Sequence, residues 1–141
     1  MLKKIILLTL ISVATLFSSQ VNWEKDFMSA IKNAQAQNKP VMFISSRHSC
    51  KYCVMLDETT LRDEMVIKAL NRDYISVVSY SDENDYMPRE LWRPGTPAIW
   101  FLMPNGTPMF QPIMGALGAE DMLKALAIVK EEFDKTVVVS K

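Results

Sequence analysis

At 141 residues, 49% apolar and 23% charged, the chain has the length and balance for one globular domain with a real core, which excludes a disordered or fibrous protein. Sixteen basic and sixteen acidic side chains leave a formal net charge of zero, which argues against nucleic acid or an anionic lipid surface as the main partner. Its 10 methionines suit adaptable core filling, or thioether ligation of a soft metal.

Residues 1–20 have the layout of a secretory signal peptide. Lys3 and Lys4 form a positive start, and Ile5 to Phe17 an apolar stretch interrupted by Thr9, Ser12 and Thr15. Ser18-Ser19-Gln20 is a small polar end. The apolar stretch is short for a bilayer span, and an uncleaved N-terminal anchor stays open as the alternative. Export would put the remainder in a compartment where disulfides persist.

Asn22 is placed to cap a first helix from about Trp23 to Gln37, with Trp23, Phe27, Ile31 and Ala34 on one face. Asn38-Lys39-Pro40 ends it. Val41 to Ile44 is apolar on consecutive residues, as in a strand buried on both faces. The stretch S-S-R-H-S-C-K-Y-C, Ser45 to Cys53, follows. Ser49 is a natural cap, which makes Cys50 the first residue of a helix reaching about Glu58. After a junction at Thr59–Arg62, Asp63 caps a helix over Glu64–Asn71, with Met65, Val66, Ala69 and Leu70 inward. Tyr74 to Tyr80 reads as a second central strand.

Ser81 to Pro94 is polar, with Asp82, Glu83 and Asp85 clustered; it is a solvated loop or a surface that steers substrate. Within it, Pro88 to Trp92 suits a short helix. Ala98 to Leu102 is a third strand. Asn105-Gly106 turns it into an edge strand over Pro108–Met114, where two prolines are tolerated. Gly115 to Gly118 leads to a last helix from Ala119 to about Asp134, with Met122, Leu126, Val129 and Phe133 on one face. Residues 135–141 are expected as a loose tail, so residues 21–134 form one domain. The order predicts an α/β fold whose central mixed sheet is flanked by helices on both faces.

Cys50 and Cys53, the two cysteines of the chain, lie at the junction of a strand and a helix. A bridge between them closes too short a loop to be a useful staple. Redox chemistry and metal binding remain. Unpaired N–H groups and the helix dipole lower the pKa of a thiol at a helix N-terminus, and Arg47, His48 and Lys51 add positive charge. Cys53 lies one turn further in. The asymmetry makes Cys50 the attacking thiol and Cys53 the resolving one. With His48 as a third ligand, a zinc site would still fall short of its usual four. A copper-binding module using both cysteines and nearby methionines stays open, as does a binding module with idle cysteines.

Three motifs in order carry a resemblance to the thioredoxin-fold superfamily over roughly Trp23 to Phe133. They are C-K-Y-C after the first central strand, G-T-P-A (Gly95 to Ala98) opening the third, and M-G-A-L (Met114 to Leu117) before the last helix. The S-C-K-Y-C…L-R-D-E-M-V-I-K-A-L-N-R-D-Y layout is similar to small periplasmic thioredoxin-like thiol:disulfide oxidoreductases. The resemblance implies a thioredoxin-like fold and a cis Thr96–Pro97 bond. It also implies substrate binding by Tyr52, Thr96 and Pro97, with the Thr96 backbone pairing with an extended client. Trp92 and Arg93 would rim this loop or pack over the short helix. No cofactor or metal is implied. The partners implied are disulfide- or dithiol-containing exported proteins and an upstream redox partner, with neither nucleic acid nor, after signal cleavage, membrane. The location implied is the periplasm, and the role that of a reductant or exchange partner. Two residues depart from the family pattern: Ile44 stands where thioredoxins carry a buried carboxylate, and Ser49 where they carry an aromatic. The redox potential and direction of electron flow therefore do not carry over.

Overall fold

The structure, a computed structural model, describes residues 20–139. The expected signal peptide lies outside the described residues except for Gln20. In chain order come α1 (Phe27–Gln37), β1 (Val41–Ser46), α2 (Lys51–Glu58), α3 (Glu64–Asp73), β2 (Ile75–Tyr80), β3 (Ala98–Leu102), β4 (Ile113–Met114) and α4 (Ala119–Val139). Short 3-10 turns stand at Thr60–Arg62, Ser81–Glu83 and Arg89–Leu91.

The sheet order is β2-β1-β3-β4. β1 runs parallel to β2 and antiparallel to β3, and β3 is antiparallel to β4. All six residues of β1 are buried, as a strand covered on both faces requires. Val41 and Phe43 point to one face, where Trp100, Leu102 and Val77 meet Phe27, Ala30 and Ala34 of α1. Met42 and Ile44 point to the other, where Ile99 and Phe101 meet Leu56 of α2, Val66, Ile67 and Leu70 of α3, and Met122, Leu126 and Val129 of α4. The mixed sheet is thus flanked by helices on both faces, as the sequence order predicts.

Several boundaries differ from expectation. The first helix is capped by Asp26, whose carboxylate accepts from the Ser29 N–H at 2.8 Å, and not by Asn22. Residues before it are drawn out along the sheet: Trp23 bridges Ser76 in parallel, and the Glu24 N–H donates to the Ser76 carbonyl at 2.8 Å. Asp63 caps α3 as expected, accepting from the Met65 and Val66 N–H groups. Met65, however, is exposed and Ile67 takes an inward place, because burial of Val66 and Leu70 sets the phase of the helix. The edge strand shrinks to Ile113–Met114, preceded by a single bridge between Leu102 and Pro108, since Pro108 and Pro112 have no N–H for a ladder. The expected loose tail from Lys135 is instead helical through Val139. Ion pairs of Lys130 with Asp134 and of Lys135 with Glu131 span this last part, while Val138 and Val139 stay exposed.

Candidate active site

β1 delivers the chain to the edge of the sheet at Ser46, and the exposed loop Arg47–Ser49 turns it into α2. Cys50 itself, not Ser49, is the N-cap. Its backbone is extended (φ −91°, ψ 119°), and its Sγ accepts from the Cys53 N–H at 3.2 Å. The orphan N–H that a serine hydroxyl would usually satisfy is taken by sulfur. Cys50 is half-buried, whereas Cys53 is 4% exposed and one turn inside. Both are free thiols.

The other two motifs meet the thiols here. The Thr96–Pro97 peptide is cis, and the Thr96 carbonyl accepts from the Cys50 thiol at 3.3 Å. Pro97 is buried, and its carbonyl accepts from the Gly115 N–H at 2.9 Å, tying the M-G-A-L turn to the same loop. Tyr52 is 55% exposed beside the pair on the first turn of α2.

Burial pushes the Cys50 thiol up. Hydrogen bonding with the Cys53 and Thr96 side chains and the Cys53 and Tyr52 N–H groups outweighs it, so the thiol ends below its ordinary value. The Tyr52 and Cys53 N–H groups are those expected at the head of a helix; the further share expected from Arg47, His48 and Lys51 does not figure among these contacts. Arg47 and Lys51 are exposed, and His48 is engaged elsewhere. Its Nε2 lies 2.8 Å from Glu83 Oε1, and its ring stacks on Tyr80 with centroids 4.0 Å apart. Alkylation of Cys50 in the reduced protein is expected to titrate with a midpoint below that of a free thiol. Because the folded value lies below the unfolded one, the thiolate contributes fully to stability above the unfolded value. That contribution is lost as the pH falls through the folded midpoint. Rates of iodoacetamide labelling across pH, read at the Cys50 peptide by mass, check the midpoint.

The acidic cluster has a place that sequence reasoning missed. Asp82 Oδ2 accepts from the His48 N–H at 2.8 Å and the Ser49 N–H at 3.4 Å. Asp85 accepts from the Tyr80 N–H. The available signal was the parallel pairing of β1 with β2, which brings the loops after Ser46 and Tyr80 together. Burial, followed by the charges of Asp57, Glu83, Cys53 and Asp85, raises the Tyr80 phenol, which therefore keeps its proton at neutral pH. Arg93 packs inward over the buried Trp100 ring, 4.6 Å from its centroid, while Trp92 is exposed. Ile44 is buried in the core, and among the described residues no Asp or Glu is buried. No group of three or more His, Cys, Asp or Glu side chains among the described residues is placed to hold a metal ion. No described helix is long and apolar enough to cross a membrane.

The family model of a thioredoxin-like domain matches residues 27–130. None of the curated proteins matches the chain. Among solved structures, the chain is similar to a thioredoxin from Thermus thermophilus, with 24% identity, a TM-score of 0.66, and 78% of this chain and 87% of that one covered. It is similar to a DsbH oxidoreductase at 15% identity and a TM-score of 0.62, over 86% of this chain and 92% of that one. The reduced C-terminal domain of Neisseria meningitidis DsbD is 19% identical, with a TM-score of 0.57, over 71% and 90% of the two chains. At these identities the likenesses speak to the fold.

Proposed function

This chain belongs to the thioredoxin-like family, and from that premise we propose that it is an exported thiol–disulfide oxidoreductase acting on protein substrates through Cys50 and Cys53. One observation carries the reading: the Cys50 sulfur heads α2 with the Cys53 N–H at 3.2 Å and the Thr96 carbonyl at 3.3 Å. The Cys53 N–H stabilises a thiolate there, which is half-exposed, and the Thr96 carbonyl, which accepts only from the protonated thiol, is backbone that an extended client can pair with.

The Cys50 thiolate attacks one sulfur of a substrate disulfide. A Cys50–substrate S–S bond forms, the substrate's own S–S bond breaks, and the departing thiolate takes up a proton. Cys53 then loses its proton and attacks the Cys50 sulfur. The Cys50–Cys53 disulfide forms and the second substrate sulfur leaves as thiolate, so the substrate gains two electrons and the pair loses two. An upstream dithiol partner restores the reduced pair; no cofactor is needed. Run in reverse, the same steps donate a disulfide.

Thr96 supplies backbone for the client, Pro97 the buried base of that loop, and Tyr52 an exposed aromatic beside the thiols. The role is that of a reductant or exchange partner. Residues 1–20, read as a cleaved leader before a domain over 21–134, support a periplasmic location. Dithiothreitol-driven reduction of insulin tests the activity: the protein is expected to accelerate it well above dithiothreitol alone. Equal rates with and without the protein would end the proposal. Equilibration with glutathione then gives the direction of electron flow.

A further inference from the structure

We propose that Asp82 is a positioning residue for the attacking thiol, holding the loop between β1 and α2 by two backbone N–H groups. The inference rests on the role proposed for Cys50 and adds what keeps that sulfur in place.

The loop is short, and its three residues, Arg47, His48 and Ser49, are exposed. The Cys50 N–H donates to the Arg47 carbonyl at 3.3 Å, so the position of Cys50 follows from the shape of this turn. A single carboxylate oxygen, Asp82 Oδ2, gathers the His48 and Ser49 N–H groups at 2.8 and 3.4 Å. Asp82 is itself anchored. It stands in the Ser81–Glu83 turn that follows β2 directly, where Tyr80 is in register with Ser46. The Ser81 hydroxyl donates to the Ser46 carbonyl at 3.4 Å across the same gap. The His48 side chain reaches the same turn, paired with Glu83 at 2.8 Å and stacked on Tyr80 at 4.0 Å. Backbone and side chain of the thiol loop are thus fastened to one turn of the neighbouring strand.

The carboxylate acts on Cys50 in two opposed ways. As a negative charge it disfavours a nearby thiolate. As an acceptor it fixes the turn that brings Sγ to the Cys53 N–H, which favours the thiolate. The proposal holds that the second effect is the larger. Asn at this position keeps an acceptor oxygen and removes the charge; Ala removes both.

The test is the pH profile of Cys50 alkylation in the reduced full chain, read by mass at the Cys50 peptide. The parent, Asp82→Ala and Asp82→Asn are compared, with Tm recorded for each. Asp82→Ala is expected to move the midpoint up, lowering neutral-pH labelling by roughly threefold to tenfold, up to about one pKa unit. Asp82→Asn is expected to stay at or below the parent midpoint. A parental or lowered midpoint in Asp82→Ala would overturn the proposal, as would an Asn midpoint raised as far as that of Ala. Labelling needs only a thiol, so this result is independent of whether insulin is reduced.

Discussion

Replacing Cys50 with serine is expected to stop disulfide turnover, a loss of about a thousandfold or more as when an enzyme's nucleophile is removed. Replacing Cys53 with serine should stop it at a different point. In that variant Cys50 still heads α2 and still attacks, but nothing resolves the bond it makes, so a mixed disulfide with the client accumulates. The asymmetry behind this is geometric. The Cys50 sulfur is half-exposed, whereas Cys53 is 4% exposed and lies under the first turn of the helix. Non-reducing gels and intact mass measure the trapped species. A trap formed by Cys50→Ser and not by Cys53→Ser would invert the assignment; no trap from either would remove the covalent step.

Trp100→Ala should destabilise the domain by about 3–5 kcal/mol, the usual cost of deleting a buried large aromatic. Trp100 is 1% exposed at the middle of β3, facing α1. Its indole N–H donates to the Leu91 carbonyl at 3.0 Å, and the Arg93 guanidinium lies over its ring. Alanine leaves a cavity, an unpaired carbonyl and an unsupported arginine at once. A Tm lower by on the order of 10 °C or more should follow. Since Leu91 and Arg93 lead into Gly95-Thr96-Pro97, the loss should reach the loop beside Cys50 and slow turnover in folded protein below the melting range. A Tm within about 2 °C of the parent would show that the ring contributes little packing.

Why the strands were legible and the caps were not follows from the range of the forces involved. β1 and β3 show in the sequence because burial on both faces demands consecutive apolar residues, and Val41 to Ile44 and Ala98 to Leu102 supply them. Asp63 was legible because the cap is a contact over two or three residues. Asn22 and Asp26 are both good caps locally, and the choice between them is made by Ser76, which draws Trp23 and Glu24 into the sheet. Ser49 is a better cap than a cysteine by propensity, yet Cys50 holds the position beside Thr96, 46 residues away. The same applies to Asp82, whose contact with His48 spans 34 residues and depends on the parallel register of β1 and β2. Residues 135–141 read as a loose tail despite Val137 to Val139, but no glycine or proline interrupts α4 and the ion pairs carry it on through Val139.

The extended stretch before α1 has a consequence for the solubility of the chain. β2 is a border of the sheet, and a bare strand border invites pairing with another molecule. Trp23 and Glu24 occupy that border at Ser76, and Val21 is tucked into the core behind them. A chain trimmed to begin at Lys25 would keep both thiols and every contact described around them, and would lose this guard. Its fault would be self-association through the uncovered strand, with the chemistry at Cys50 intact. A chain that keeps Val21 to Glu24 keeps the border covered.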